Sequence, residues 1–319
     1  YLPPFKACFD AGCASIMCSF NNLNGVPPSA NRHLCEDILR GEWKYDGLMV
    51  SDWGSVHVLI AHGCAADNGE ATLLGINAHI TMDMAGYNYQ QNLDSLVKVG
   101  RVSEKQIDEL VREILRMKIR MGLFEHPYEY VPLGEAQYFT EEALAVAQHC
   151  CEESAVLLKN NGVLPLNAHS ALNGSSAALE LPRLYICGPL ANNQHDQNGT
   201  WCFDGVDSMV ITPLMAFERK ARVSAQRGFH WSREVLGEKA IRQMAAEAKK
   251  ADVILYFAGE EAMISGEAKT RAHLDLPGDQ TAQLEALKAT GKPVVMVVMA
   301  GRPLCLDHEV ELVDAVPEV

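Results

Sequence analysis

Two apolar runs in this chain end on carboxylates, and paired carboxylates are the working groups of acetal chemistry. Gly47-Leu48-Met49-Val50-Ser51-Asp52-Trp53-Gly54 carries the signal of a buried strand. It delivers an acid, then an indole, then a glycine. Such a set suits a sugar, whose C–H face stacks on Trp53 while Asp52 reaches the anomeric carbon. An Asp at a strand end also commonly does no more than cap the turn that follows, and both readings stand on this stretch alone. The second run, Val253 to Phe257, leads through Ala258-Gly259 into a loop with Glu260, Glu261, Glu267 and Arg271. Retaining glycoside hydrolysis needs two carboxyl groups about 5–5.5 Å apart, one as nucleophile and one as acid/base.

Strands and helices alternate around both stretches. Ser15 to Phe20 reads as a strand. A helix follows from Asn31 to Arg40 with Gly41 just beyond, then the strand ending at Asp52. A helical region from Gly69 to Leu74 and a short run over Ile76 to Met84 come next. This rhythm means parallel strands joined by crossovers, whose carboxyl ends are where ligands bind. Ser103 and Gln106 have capping-box spacing, Ile107, Leu110, Val111, Ile114 and Leu115 repeat at helical period, and Gly122 sits where a C′ glycine belongs. Pro127 and Pro132 mark a linker. A helix from Thr140 to Ser154 leads into Ala155 to Gly162, and the polar run His169 to Ala177 reads as a surface loop. The second unit predicts strands at Leu184–Cys187, Val253–Phe257 and Val294–Met299, with helices over Glu238–Lys250 and Gln280–Thr290. Nearly continuous apolar strands between helices predict a sheet covered on both faces.

Composition narrows the chemistry. The 319 residues carry a net charge of −14, which argues against nucleic acid, whose backbone calls for clustered Lys and Arg. No segment is apolar for long enough to span a membrane. The ten cysteines show no zinc spacing and are expected to be buried free thiols. The histidines, His57, His62 and His79 among them, share no ligand spacing and read as ordinary surface or loop residues. No metal or cofactor is expected. The chain starts at Tyr1 without an initiator Met or signal peptide and stops in mid-pattern at Val319, so a fragment is expected.

Stretches along essentially the whole chain resemble glycoside hydrolase family 3, most closely its bacterial periplasmic β-glucosidases. They include Tyr1 to Ala7, Ser19 to Gly25, Gly47 to Gly54, Met121 to Phe124, Glu153 to Asn160, Gly188 to Ala191, Ser265-Gly266-Glu267-Ala268, Leu274 to Gly278, and Leu287 to Pro293 through Gly301-Arg302-Pro303-Leu304. The resemblance implies an α/β chain with the C-terminal part of a (β/α)8-type barrel over 1–124. A linker and entry segment would cover 125–180, and an incomplete α/β sandwich domain 181–319, with the pocket between the domains. It implies Asp52 as nucleophile and Glu267 as acid/base. Trp53 and Met17 would line the sugar pocket, and Trp201 would be either a second aromatic wall or a core or loop-anchoring residue. Arg271 would serve in substrate binding, and Glu260 would support the loop, pairing with Arg271. Arg302 reads as structural.

The implied activity is a retaining exo-acting β-glycosidase, most simply a β-glucosidase acting on oligosaccharides or aryl β-glycosides, periplasmic or secreted. The alternatives are a β-xylosidase or another β-glycosidase of the family, or a catalytically incompetent fragment. Two departures stand out. The family's barrel begins well upstream of Tyr1, with sugar-binding Asp, Arg and Lys-His residues that this chain lacks. Phe20 stands where many relatives have Tyr.

Overall fold

The structure, a computed structural model, describes residues 1–129, 139–166, 182–219, 221–226 and 231–319. The loop read over His169 to Ala177 and Pro132 of the linker lie outside the described residues. The chain divides into two compact units, Tyr1–Gly134 and Glu135–Val319.

In the first unit, helix α1 (Leu2–Asp10) precedes β1 (Ser15–Met17), a helix over His33–Glu42, and β2 (Leu48–Val50). Helices α2 (Asn68–Asn77), α3 (Asn88–Lys98) and α4 (Glu104–Arg120) follow. β1 and β2 are parallel with Ile16 opposite Met49, and Val50 bridges in parallel to Met82. The expected rhythm is therefore present, with shorter strands than the apolar runs suggested. Ile76 remains in α2 because it packs with Leu96, Val102 and Leu110. Burying such side chains is worth about 2 kcal/mol each, more than a longer strand there would return.

Helix His33–Glu42 does not stop at Gly41. Its turns are wide, with Trp43 N–H donating to Ile38 O at 2.9 Å, and the left-handed exit is made by Lys44 at φ +54°. Both ends of α4 follow the pattern read from sequence. Ser103 and Gln106 form the reciprocal capping box, and Gly122, at φ +67°, closes the helix.

The second unit is built on one sheet. Helix α5 (Glu141–Ser154) leads to β3 (Val156–Asn160), β4 (Leu184–Cys187) and β5 (Val223–Ala225). Then come α6 (Glu238–Ala248), β6 (Val253–Gly259), α7 (Gln280–Lys288), β7 (Val294–Met299), α8 (Asp307–Leu312) and β8 (Ala315–Glu318). Strand order is β3-β8-β7-β6-β4-β5, parallel throughout except for β3 against β8. All seven residues of β6 are buried. Val253, Leu255 and Phe257 face one core with Leu184, Ile186 and Val295, while Ile254, Tyr256 and Ala258 face the other with Leu284, Leu287 and Met296. The two-residue period thus fills both faces of the sheet. The chain leaves β4 toward β5 in one direction and β6 toward β7 in the other. This reversal marks a topological switch point, the usual position of a crevice at the carboxyl ends of the strands.

All ten cysteines are free thiols, but only Cys18, Cys35 and Cys187 are buried. Cys8, Cys13, Cys150, Cys151 and Cys305 are exposed, against the expectation of general burial. Cys150 and Cys151 lie in the last turns of α5, none of whose residues is buried, so nothing covers them there.

Candidate active site

Asp52 follows β2 on a loop stapled to its neighbour by backbone bonds. Ser51 N–H donates to Met82 O at 2.9 Å, and Gly54 N–H donates to Met84 O at 2.7 Å. The Ser51 hydroxyl accepts from Met84 N–H at 2.7 Å and donates to Asp52 O at 2.9 Å. Gly54, at φ +66°, makes the turn without strain. Asp52 is half-buried, and its Oδ1 accepts from Trp53 N–H at 2.6 Å. The indole of Trp53 is 72% exposed, and Met17, one strand over, is 53% exposed. These are two large apolar side chains held out of the core beside a carboxylate at the carboxyl ends of parallel strands. The capping role is also present, in that the Trp53 bond is local.

Glu267 lies in the second unit, on the long loop after β6. Of the three glutamates there, two are consumed by structure. Glu260 is buried; Arg271 Nη1 donates to its Oε1, and Arg302 Nε lies 3.0 Å from its Oε2 in an ion pair off the N–H axis. Glu261 is fully buried and accepts from Ser232 N–H at 2.7 Å and Arg233 Nε at 2.7 Å. Of these glutamates Glu267 alone is exposed, at the corner of a turn in which Lys269 N–H donates to Gly266 O at 3.3 Å. Ala268 completes that turn at φ +58°, a conformation that costs an alanine about 1 kcal/mol. Pairing separates the solvent-facing glutamate from the structural ones.

The same region holds Trp201, which is 61% exposed and packs edge-to-face on Phe203 with centroids 5.2 Å apart. It is therefore no core tryptophan. Arg271 is largely occupied: besides Glu260 it donates to Asp275 O at 3.0 Å and Asp275 Oδ1 at 3.2 Å. Arg302 braces the loop, as expected, donating from Nη2 to Ile264 O at 2.6 Å. Asp196 supports it from below, accepting from Ala262 N–H at 2.8 Å, and burial raises its carboxyl above the ordinary carboxylate range.

One cluster was not legible in the sequence. His79 is no ordinary loop histidine. Its Nδ1 contacts Glu36 and its Nε2 contacts Glu113 at 2.9 Å, while Arg40 Nη2 and Thr81 Oγ1 each donate to Glu113 Oε2 at 2.9 Å. The five residues come from three separate stretches of the chain, and no spacing announces them. Burial pulls the His79 imidazole down, but hydrogen bonding to Glu113 and its charge win and raise it. Among the described residues, no group of three or more His, Cys, Asp or Glu could hold a metal ion, and no helix is long and apolar enough to cross a membrane.

Comparison with known proteins places the chain in a family. Residues 1–117 match the glycosyl hydrolase family 3 N-terminal domain, and residues 155–318 match the family's C-terminal domain. The chain is 34% identical to a periplasmic beta-glucosidase of Salmonella typhimurium, across 100% of this chain and 44% of the relative. It is 30% identical to a beta-xylosidase of Formosa agariphila, across 100% of this chain and 45% of the relative. A crystal structure of a beta-glucosidase from Listeria innocua in complex with isofagomine superposes with a TM-score of 0.88 at 31% identity, covering 100% of this chain and 43% of that one. The chain thus spans less than half the length of the relatives it matches. With a mixed α/β fold and both family domains matched in order, this chain belongs to glycosyl hydrolase family 3.

Proposed function

We propose that the chain carries the catalytic pair of a retaining exo-acting β-glycosidase, most simply a β-glucosidase that releases terminal β-D-glucose by double displacement. Asp52 attacks C1 to form a glycosyl ester. Glu267 protonates the departing oxygen and then deprotonates the water that cleaves the ester. Trp53 and Met17 supply the apolar wall for the sugar, and Trp201 a second aromatic face. Arg271, with its guanidinium engaged, shapes the pocket by holding Glu260. In this reading 1–124 is the C-terminal part of a (β/α)8-type barrel, 125–180 a linker and entry, and 181–319 an α/β sandwich domain. The substrate is an oligosaccharide or aryl β-glycoside, and the location is periplasmic or secreted, as for the Salmonella relative.

The observation that carries the reading is a contrast: Glu260 and Glu261 are buried in ion pairs, whereas Asp52 and Glu267 stand on loops after parallel strands, Asp52 next to the exposed Trp53 and Glu267 on a loop hydrogen-bonded by Thr200, the neighbour of the exposed Trp201. In the full-length protein Asp52→Asn is expected to lower hydrolysis of an aryl β-glucoside by about 10⁴-fold. Glu267→Ala is expected to keep slow turnover of substrates with good leaving groups, accelerated by azide. Wild-type behaviour of Glu267→Ala on unactivated disaccharides would remove the acid/base assignment, and initial release of the α-anomer would remove the retaining mechanism. The β-xylosidase reading draws on the Formosa relative. Relative kcat/KM on matched aryl glucosides and xylosides decides between the sugars.

A further inference from the structure

We propose that Thr200 is a positioning residue for Glu267, holding the acid-bearing turn and the Trp201 segment as one piece. The inference rests on the acid/base reading given above. The loop after β6 has no strand partner beyond Gly259, so something other than a sheet ladder must fix it. Side chains do so from outside, beginning with Ser232 and Arg233 at Glu261. Arg302 and Asp196 hold its first half, at Ile264 O and Ala262 N–H. Thr200 reaches furthest along it: Oγ1 donates into the pair of carbonyls Ser265 O at 3.1 Å and Ala262 O at 3.2 Å.

The same residue seats the turn sterically. Gly266 sits at φ +90°, and a Cβ there would fall 2.8 Å from Thr200 Cγ2 and 2.9 Å from its Oγ1. The Gly266 backbone therefore lies against the threonine, immediately before Glu267. From below, Gly301 leaves no room for a side chain, since its Cβ would meet Ser265 Oγ at 2.0 Å. Ser265 and Gly266 are thus gripped from two sides, and the next residue inherits their position. Thr200 also precedes Trp201 directly, so one hydroxyl couples the proposed acid to the proposed aromatic wall. A general acid works only within hydrogen-bond reach of the oxygen it protonates, and a small misplacement is costly.

Thr200→Val keeps the shape and removes the hydroxyl, whereas Thr200→Ser keeps the hydroxyl. Amide hydrogen exchange on this chain should show Ser265 N–H and Lys269 N–H exchanging about ten-fold faster in T200V and near the wild-type rate in T200S. Equal rates in T200V and wild type, or equally fast exchange in T200S, would overturn the proposal. If T200V does not fold, T200S compared with T200A answers the same question. In the full-length enzyme, T200V should lower kcat on alkyl β-glucosides by about ten-fold and on a dinitrophenyl β-glucoside less than about two-fold, because the latter needs no protonation. An equal loss on both, with E267A showing the leaving-group dependence, would sink the positioning role alone. Absence of that dependence in E267A itself would instead remove the acid/base reading, while the exchange measurement still decides whether Thr200 holds the turn.

Discussion

The loops bearing Asp52 and Glu267 solve the same problem by different means. Asp52 lies two residues past the three-residue strand β2, and the bonds that fix its neighbours are main-chain ones to Met82 and Met84, with the Ser51 hydroxyl as the one side-chain contribution. Glu267 lies eight residues beyond Gly259, past the end of β6, and its loop is held by side chains: Thr200, Asp196, Arg302 and the buried Glu260 and Glu261. A backbone-held carboxylate is insensitive to most substitutions around it. A side-chain-held one depends on every brace, and each brace is a place where sequence change alters function without touching the acid.

Substitutions that separate the two modes should span a wide range of effect. Largest is Gly259→Ala: at φ +134° a Cβ would stand 1.9 Å from Met299 O, so the β6–β7 pairing must open. The expected cost exceeds about 4 kcal/mol, visible as loss of cooperative denaturant unfolding, and wild-type stability would contradict the geometry. Glu260→Gln leaves Arg271 and Arg302 facing a neutral amide and should cost about 3 kcal/mol, read as a shift in denaturation midpoint. Ser51→Ala, its counterpart at Asp52, strands the Met84 N–H and should cost about 1–2 kcal/mol. If Ser51→Ala proves costlier than Glu260→Gln, the contrast between backbone and side-chain support is wrong. Gly54→Ala is expected to cost only about 1 kcal/mol, since its left-handed turn has nothing within 4 Å of a Cβ.

The smallest expected effect is a pH dependence confined to the first unit. His79 faces Glu36, Glu113, Arg40 and Thr81. Its raised pKa means its stabilisation is complete below the ordinary 6.5 and fades as pH rises through the raised value. For Glu113 burial acts upward, but the hydrogen bond from His79 and the Arg40 charge hold it below its ordinary 4.5. That contribution is present above 4.5 and is lost in acid. Melting temperature as the difference between wild type and His79→Asn should therefore peak between these ordinary values, near pH 5–6.5; a flat difference curve would dissolve the pair.

The parallel strands covered on both faces, the α4 caps and the loops bearing the acids were legible, because each is written in local spacing. The strands Leu184–Cys187 and Val294–Met299 carry the limits the apolar runs predicted. What escaped was set by distant packing. β5 has three residues and gains its place only from β4, while β3 and β8 define each other by antiparallel pairing. Helix His33–Glu42 runs through Gly41 because its widened turns defer the exit to Lys44. At the site, the resemblance already set Glu267 apart and paired Glu260 with Arg271, but the burial of Glu261 and its pairing with Arg233 come from contacts distant in sequence.

The buried thiols also divide cleanly between the units. Cys35 is raised by its contact with Cys18 and by burial in the first unit, and Cys187 by burial in the second. Because a protonated, enclosed sulfur does not react with alkylating reagents, each unit carries its own internal clock. Brief labelling during denaturation, with peptide mass readout, would time the opening of the two halves separately in a single sample.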